Sequence, residues 1–352
     1  MSPKVTILMP VYNSERYLSV SVQSILNQTW SDFEFIIVDD CSTDNTAHIL
    51  NAFANQDRRI HLLRNSTNLG VTRSLNIGFD QAQGEYIARM DADDVAAPTR
   101  IEKQLIFLEQ DRDVGIVGGG CNIVDSEGGY ISDWMKPAGD LAIRWEMLLD
   151  NPFIHPTVML RRKVLDDHRL RFNEALLVSQ DYDFWTRILQ FTKGANLSEP
   201  VLSYRVHRDQ ISRGNRDRQK EMHTLISQKV IRETLTLDVS LRQVDDLCSL
   251  FTFHENNLTE EDIHKAARLY LDMWSKFQRL YSSERGIKEM GRQVVLRVLE
   301  EVYDKVDHKT HLFSHPEMKK VSHLPYLISW MMRKTSLYEN IKKIYLRKNR
   351  SG

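Results

Sequence analysis

The stretch GEYIARMDADD, residues 84–94, ends an apolar run with three aspartates placed within four residues. The run up to Met90 predicts a buried β-strand. Asp91 and Asp93 are two positions apart, so their side chains leave the same side of an extended chain. Two such carboxylates supply the hard oxygen ligands that Mg²⁺ and Mn²⁺ prefer. Aspartates after a strand are also typical of turns and helix N-caps, and we expect that structural role for Asp94.

Predicted strands and helices alternate around this stretch. Strands are predicted at residues 4–9, 34–40, 59–65, 84–91 and 114–124, and helices at 14–28, 42–56, 70–82 and 99–111. This order predicts an α/β fold, with a mostly parallel sheet covered by helices on both faces. Ligands bind outside the carboxyl ends of the strands in such sheets. The polar sequences PVYN (10–13), DDCSTD (39–44) and DADD (91–94) all follow strands, so we expect them to meet there.

The pattern changes near residues 210–220. Beyond this point, long charged stretches with helical apolar spacing, such as 260–281 and 290–306, predict a mainly α-helical region. We therefore predict an α/β domain at residues 1–213 and a helical region at 214–352.

Composition limits the classes of function. The net charge of −1 argues against a nucleic-acid partner, and 41% hydrophobic residues favour a globular fold. Cys41, Cys121 and Cys248 are too few and too widely spaced for a disulfide framework or a thiolate zinc site. No run reaches the roughly 18 apolar residues of a spanning helix, and the short run before Pro10 is unlike a signal peptide. The sequence therefore predicts a cytoplasmic protein.

The last residues form a basic tail. Seven Lys or Arg follow Met331 against one acid, Glu339, and aromatic residues are interleaved among them. Such a segment is typical of a helix that lies on the anionic inner face of a membrane, which would make the protein peripheral. A solvated helix docked on the domain is the alternative.

A second acidic pair, Asp39 and Asp40, follows the strand 34–40. An acid at this edge of a sheet can accept hydrogen bonds from a nucleobase or from ribose hydroxyls. The same sequence also resembles a helix start, and we expect Ser42–Asp44 to begin the helix 42–56.

Five motifs in this order resemble the family 2 glycosyltransferases, inverting enzymes with the GT-A fold. They are PVYN (10–13), VDDCSTDNT (38–46), NLGVTRSLNIGFDQAQGEYIARMDADD (68–94), SQDYDFWTRI (179–188) and LSYRVHRDQIS (202–212). The resemblance covers about residues 3–212, and it implies a nucleotide-sugar half at about 1–95 and an acceptor half at about 96–213.

The resemblance implies roles for individual residues. Nucleotide-sugar binding is implied for Pro10, Tyr12, Asn13, Asp39, Asp40, Asn68, Gly70, Arg73, Asp91, Ala92 and Asp93. Within this set, Asp91 and Asp93 match the Asp-x-Asp element, which holds the metal, Mn²⁺ or Mg²⁺, and the diphosphate of the donor. Asp181 matches the general base, although a capping aspartate at the start of a helix is the alternative.

Four further side chains are candidates with open alternatives. His207 is a candidate metal ligand, and a structural histidine is equally compatible with its position. His155 is a candidate for acceptor binding or a turn histidine before Pro156. Tyr182 and Trp185 offer flat faces for a sugar, but aromatic residues at helical spacing are more often core.

Two positions depart from the family pattern. Cys41 stands where relatives usually have glycine, so the turn after Asp40 must form without glycine's freedom in φ. Gln180 stands where they usually have glutamate, which removes one negative charge beside Asp181 and so favours a lower pKa there.

The expected function is transfer of a hexosyl residue from a nucleoside diphosphate sugar, UDP being favoured, to a saccharide acceptor. A lipid-linked acceptor in surface polysaccharide synthesis, such as O-antigen or capsule, fits the basic tail. The alternatives are a non-catalytic carbohydrate-binding or scaffold protein with this fold and a sugar nucleotidylyltransferase. The second is disfavoured because PVYNSERY, residues 10–17, has no glycine for a phosphate loop.

Overall fold

The computed structural model describes residues 2–208, 210, 216–252 and 257–303. The chain forms two compact units that divide after Val230. The predicted domain boundary between residues 213 and 214 lies outside the described residues, and so does the basic tail. Both stay predictions.

The first unit is built on one sheet, in which nine strands pair among the described residues. The strands are β1 (Val5–Val11), β2 (Phe33–Asp39), β3 (Ile60–Arg64), β4 (Tyr86–Arg89), β5 (Val95–Ala96), β6 (Val114–Val124), β7 (Tyr130–Trp134), β8 (Met159–Arg161) and β9 (Lys193–Arg205). Their order is β3-β2-β1-β4-β8-β6-β9-β5, with β7 paired to β6. Strands β3, β2, β1 and β4 are parallel, β8 is antiparallel to both neighbours, and β6 and β9 are parallel again. The sheet is therefore mixed, and its wholly parallel half is the one predicted as βαβ units.

Helices alternate with the strands of this half. The α-helices among the described residues are α1 (Leu18–Leu26), α2 (Thr46–Gln56), α3 (Val71–Gln81), α4 (Arg100–Gln110), α5 (Asp140–Glu146), α6 (Arg162–His168), α7 (Gln180–Ile188), α8 (Arg216–Leu235), α9 (Leu241–Phe251), α10 (Glu260–Leu280) and α11 (Ile287–Tyr303). A short 3-10 helix at His155–Thr157 precedes β8.

These helices cover both faces of the sheet, because successive side chains of a strand point to opposite faces. On β1, Ile7 belongs to a buried core that also contains Val22 of α1 and Leu105 of α4. Leu8 points to the other face, where a Cβ added at Gly78 of α3 would lie 2.1 Å from its Cδ1 atom. Glycine at this position lets α3 approach the sheet, and the predicted helices on both faces are confirmed.

The first strand continues two residues beyond its predicted end. Pro10 is buried within β1 and lies in register with Val38 of β2. Met90 donates its N–H to the carbonyl of Leu8, so Leu8 and, two residues on, Pro10 both face the β4 side. Because β4 ends at Arg89, opposite Leu8, no strand needs the N–H that proline lacks.

The second unit is helical, as predicted for the C-terminal region. α9 begins with a capping box, in which Ser240 and Gln243 satisfy each other's backbone N–H groups, and α10 begins in the same way. Phe251 of α9 stacks on Tyr270 of α10, with ring centroids 3.9 Å apart. Within the part of the chain that the structure describes, no helix is both long and apolar enough to cross a membrane.

Candidate active site

Three loops meet where β1, β2 and β4 end. These strands are parallel neighbours, so the residues that follow them come to the same edge of the sheet. Pro10 and Val11 end β1, and Tyr12 and Asn13 begin the loop after it. Asp39 ends β2, and the next loop carries DCSTD (40–44), whereas the loop after β4 carries DADD (91–94). The sequence predicts this arrangement.

The loops after β1 and β2 are bonded to each other. The N–H of Asn13 donates to Ser42 Oγ at 3.0 Å, and the N–H of Thr43 donates to Asn13 Oδ1 at 2.8 Å. Helix α2 begins only at Thr46, so the prediction that Ser42 to Asp44 start the helix is wrong. Asn13 thus uses its amide oxygen to hold the loop, whereas Tyr12 is 48% exposed.

Asp40 accepts three hydrogen bonds from the loop before α3. Its Oδ1 accepts hydrogen bonds from Asn65 Nδ2 at 2.7 Å and from the N–H of Leu69 at 2.8 Å. Its Oδ2 accepts the N–H of Gly70 at 2.7 Å. Because the side chain is buried, these bonds fix the loop that leads into α3.

Asp39 and Cys41 flank this carboxylate. Asp39 is buried, accepts the N–H of Ser42 at 2.9 Å and lies 3.4 Å from the guanidinium of Arg64. Cys41 has a φ of 63°, in the left-handed region where glycine is favoured. A residue with a Cβ costs about 1–2 kcal/mol there. The departure from the family pattern at this position is therefore accommodated by a strained backbone.

Three more predicted nucleotide-site residues lie on the loop that Asp40 holds and in the first turn of α3. Gly70 precedes α3 with a φ of 87°, a conformation that favours glycine. Asn68 is exposed. Arg73 is half-exposed, and its Nε donates to Glu174 Oε2 at 3.0 Å. The side chains of Asn68 and Arg73 thus reach the surface at the same end of the sheet.

Asp91, Asp93 and Asp94 form an acidic cluster after β4. One carboxylate oxygen from each lies within 4.8 Å of the others. The side chains of Asp91 and Asp93 are 29% and 28% exposed, whereas Asp94 and the intervening Ala92 are buried. Burial raises the pKa of Asp91, and burial together with the two neighbouring carboxylates raises the pKa of Asp94 further. A hard divalent cation fits this donor set.

Asp94 does not cap its own turn as predicted. Its Oδ1 accepts the N–H of Arg205, at the end of β9, at 2.9 Å. Its backbone carbonyl accepts the hydroxyl of Ser21 on α1 at 2.6 Å. Its Oδ2 is buried and meets no hydrogen-bond partner among the described residues. Asp94 therefore joins the acidic loop to β9 and leaves one oxygen available to a cation.

His207 lies beside the cluster, as the sequence predicts. Its Nε2 is 3.0 Å from Asp93 Oδ2. Its ring packs against Tyr17, with centroids 5.0 Å apart, and the guanidinium of Arg205 lies over the same tyrosine at 4.7 Å. Arg205 Nε also donates to the carbonyl of Asp93 at 2.9 Å. Tyr17 and Arg205, to which the sequence assigns no role, thus hold His207 against the acidic loop.

Arg89 is the cation beneath the cluster, and the sequence assigns it no role either. It is 7% exposed and forms an ion pair with Asp91. Burial raises the pKa values of Asp91, Asp94 and Asp181, and the charge of Arg89 opposes each rise. The sequence feature that could have identified Arg89 is its place within a predicted buried strand. A buried charge without a partner is costly, so such an arginine indicates an acidic partner nearby.

Asp181 is the second residue of α7. Its side chain is 20% exposed, its Oδ1 accepts the N–H of Tyr182 at 2.9 Å, and its Oδ2 accepts Asn151 Nδ2 at 2.8 Å. Burial raises the pKa of Asp181, whose charge in turn contributes to the raised pKa of Asp91. Two carboxylates ninety positions apart in the sequence are therefore brought within electrostatic reach of each other.

The three predicted acceptor contacts fall in different surroundings. His155 lies beside Asp181, with 3.8 Å between its Nδ1 and Asp181 Oδ2. Tyr182 and Trp185 are each 1% exposed. The hydroxyl of Tyr182 donates to the carbonyl of Met147 at 2.7 Å, and Trp185 packs among other aromatic rings. Acceptor binding by Tyr182 and Trp185 is therefore not supported, because both side chains belong to the core.

Comparison with known proteins agrees with this arrangement. The model of the family described as Glycosyl transferase family 2 matches residues 6–169. The O-antigen biosynthesis glycosyltransferase WbnJ of Escherichia coli is 34% identical over 213 residues, which cover 58% of this chain and 80% of WbnJ.

Two solved structures share the fold. TarS 1–349 of S. aureus, in complex with UDP-GlcNAc, matches with a TM-score of 0.57 and 20% identity over 86% of this chain and 88% of its own. The mannosyltransferase PcManGT from Pyrobaculum calidifontis, in complex with GDP-Man and Mn²⁺, matches with a TM-score of 0.51 and 16% identity over 87% and 89%. These likenesses confirm the predicted GT-A fold.

Proposed function

Because this chain belongs to glycosyl transferase family 2, we propose that it transfers a hexosyl residue from a nucleoside diphosphate sugar to a saccharide acceptor, with inversion at the anomeric carbon. UDP is the nucleotide that we favour. The observation that carries this proposal is the meeting of Asp91, Asp93 and Asp181 at the carboxyl edge of the sheet. Inverting transfer needs carboxylates in two roles. One set holds the cation that offsets the charge of the diphosphate, and another carboxylate accepts the proton of the acceptor hydroxyl.

The donor nucleotide is assigned to the loops after β1 and β2. Tyr12 is exposed there and offers a ring face to a nucleobase. Pro10, Asn13, Asp39 and Asp40, at the same two strand ends, are assigned to the nucleotide as well. In support, TarS was solved with UDP-GlcNAc and PcManGT with GDP-Man, and both share this fold.

The rest of the donor is assigned to the loop before α3 and to the acidic cluster. Asn68 and Gly70 flank the nucleotide from that loop and Arg73 from the first turn of α3, next to the backbone that Asp40 holds in place. The diphosphate is assigned to the cluster, beside the backbone of Ala92.

A divalent cation, Mn²⁺ or Mg²⁺, is assigned to Asp91 and Asp93, with His207 beside Asp93. Carboxylate oxygens suit both ions, and an imidazole is compatible with Mn²⁺. The unpartnered Oδ2 of Asp94 supports a cation at this position, within the part of the chain that the structure describes. When bound, such a cation offsets the negative charge of the departing diphosphate.

Asp181 is assigned as the general base. The acceptor oxygen bonds to the anomeric carbon on the face opposite the diphosphate, and the bond from that carbon to the diphosphate breaks. The acceptor hydroxyl gives its proton to the Asp181 carboxylate as the new bond forms. Burial raises the pKa of Asp181, so its ionised form is a stronger base than an exposed aspartate.

The acceptor is proposed to be a lipid-linked saccharide of a surface polysaccharide, such as O-antigen or capsule. This proposal rests on the similarity to WbnJ, whose name places it in O-antigen biosynthesis. His155, beside Asp181, is the remaining candidate for acceptor contact. The basic tail, the candidate for contact with an anionic membrane surface, lies outside the described residues.

A donor screen tests the proposal. Purified protein is incubated with Mn²⁺, an acceptor extract and hexoses linked to UDP, GDP or dTDP, and release of the nucleotide is measured. We expect release from a UDP-sugar, its loss on chelation with EDTA and its recovery with Mn²⁺, and a product of opposite anomeric configuration by NMR. Release that survives chelation would overturn the metal assignment, and a product with the donor's own configuration would overturn inversion.

A further inference from the structure

We propose that Asn151 is a positioning residue for the base and that it holds the carboxylate of Asp181 in one orientation across the donor sugar. The inference rests on the proposed function, because it requires Asp181 to accept the acceptor's proton. Nothing in the sequence pattern points to Asn151, which lies thirty residues before Asp181 in a segment without regular secondary structure.

The contact itself fixes both groups. Asn151 Nδ2 donates to Asp181 Oδ2 at 2.8 Å. The orientation of the amide is defined, because its Oδ1 accepts the N–H of Phe153 at 3.1 Å. The other oxygen of Asp181 accepts the N–H of Tyr182 at 2.9 Å. Each carboxylate oxygen therefore has one donor from the protein and keeps a lone pair, and the two bonds together set the plane of the carboxylate.

The residues on either side of Asn151 are anchored separately. Asp150 pairs at 2.7 Å with Lys136, a lysine whose side chain is only 5% exposed. The carbonyl of Pro152 accepts Asn196 Nδ2, from β9, at 3.0 Å. Asn151 is thus presented to Asp181 from a segment held at two neighbouring positions. A supporting group placed in this way confines a catalytic side chain more closely than one on a free loop does.

The chemistry of an amide donor suits a base. A hydrogen bond to the ionised form lowers the pKa of Asp181 and partly offsets the larger effect of burial, which raises it. Among the described residues, charged or titratable groups near Asp181 include Arg89 on β4, Asp91 after β4 and His155 in the 3-10 helix. A neutral amide adds no further charge to these groups. It can therefore orient the carboxylate of Asp181 while burial keeps the pKa of that carboxylate raised.

The test compares Asn151→Ala and Asn151→Asp with a matched control, Asn122→Ala. Asn122 also donates to an aspartate, Asp133, at 3.3 Å, but on the exposed β6–β7 hairpin. Release of UDP from UDP-GlcNAc with Mn²⁺, or of GDP from GDP-Man if the donor screen selects it, is measured across pH.

For Asn151→Ala we expect kcat to fall by about 10- to 100-fold while KM for the donor stays within about two-fold, because a misplaced catalytic group slows the chemical step. The acidic limb of the pH profile should move to higher pH, since the lost bond favoured the ionised base. In Asn151→Asp the limb should move further, because a second carboxylate beside Asp181 raises its pKa more. Asn122→Ala should match the wild type.

A uniform loss of kcat with an unmoved acidic limb would mark Asn151 as structural and overturn the inference, and so would an equal loss in Asn122→Ala. If Asn151→Ala does not fold, Asn151→Ser keeps a polar side chain that is too short to reach Asp181, and the same limb shift is expected. The variant Asp181→Asn distinguishes the proposed base role of Asp181 from the proposed positioning role of Asn151. Activity retained there would overturn the proposed base, whereas its loss beside a wild-type profile in the Asn151 variants would overturn only the positioning role.

Discussion

Aspartates follow β2 and β4, the two strands that flank β1 in the same sheet, yet their surroundings differ. After β2, Asp40 accepts three hydrogen bonds from the loop before α3. After β4, Asp91 forms an ion pair with one arginine, Asp93 contacts one histidine, and Asp94 keeps a buried oxygen that no described residue reaches. The region after β2 therefore supplies several hydrogen-bond donors to its aspartate, whereas the region after β4 supplies few donors to its three aspartates.

The difference distinguishes a carboxylate that stabilises the fold from carboxylates that can bind a ligand. A buried carboxylate that accepts two backbone N–H groups and one side-chain amide stabilises the loop that provides them. In the acidic cluster, neighbouring carboxylates contribute to the raised pKa values of Asp91 and Asp94, and oxygen atoms remain for an external cation. The residue type and its place after a strand are the same in both regions. The supply of donors therefore distinguishes the acid that stabilises a loop from the acids that we propose hold the cation.

The largest expected effect comes from the region that lacks donors. Asp93→Asn should lower nucleotide release on the order of 10³-fold, because a bound cation contributes several kcal/mol to charge stabilisation in such sites. The free energy of unfolding should change by less than about 1 kcal/mol, since the partly exposed side chain makes few contacts. Asp167→Asn, on the exposed face of α6, is the control for activity. If turnover or Mn²⁺-dependent UDP binding persists in Asp93→Asn, the proposal that the acids after β4 bind a cation, unlike Asp40 after β2, is contradicted.

The opposite pattern is expected after β2. Asp40→Ala should lower the free energy of unfolding by about 3 kcal/mol, because it leaves one amide and two backbone N–H groups without their acceptor. Urea unfolding checks this value. Asp80→Ala, which removes an exposed partner of Arg171, should cost less than about 1 kcal/mol. A stable Asp40→Ala protein would show that this acid is not structural.

The pH profile gives a more moderate effect. Burial raises the pKa of Asp181, and the base must be ionised, so kcat should fall as pH drops through that raised pKa. The acidic limb, measured with saturating donor and Mn²⁺, should therefore lie above the ordinary aspartate pKa of about 3.9. Circular dichroism at the same pH values checks that the fold persists. A kcat that stays constant to about pH 4 would exclude a buried aspartate as the base.

The smallest effect concerns the backbone beside Asp40. Cys41→Gly should raise the free energy of unfolding by about 0.5–1 kcal/mol, because relief of the left-handed strain exceeds the entropy cost of glycine. Arg169→Gly, at a φ of 50° after α6, is the matched variant away from the site. A gain in Arg169→Gly without one in Cys41→Gly would show that the thiol contributes a compensating contact.

The sequence predicts the alternating elements and the acids at the strand ends, because apolar periodicity and strand-end polarity are local signals. It places the start of α2 too early, since Ser42 contacts Asn13 across two loops instead of capping the helix. It also misses Arg89 and Asn151. Their partners are set by tertiary packing, and an arginine in a strand or an asparagine in a loop carries no local mark of its partner.

The central claim is that Asp181 removes the acceptor's proton while the acidic cluster after β4 holds the donor. Its most direct test measures sugar transfer and Mn²⁺-dependent UDP binding on the same Asp181→Asn protein. A general base contributes about 10²- to 10⁴-fold, so transfer should fall by about that factor while the Kd for UDP stays within about two-fold of wild type. Transfer within about three-fold of the wild-type rate would contradict the account, because no general base costs so little to remove.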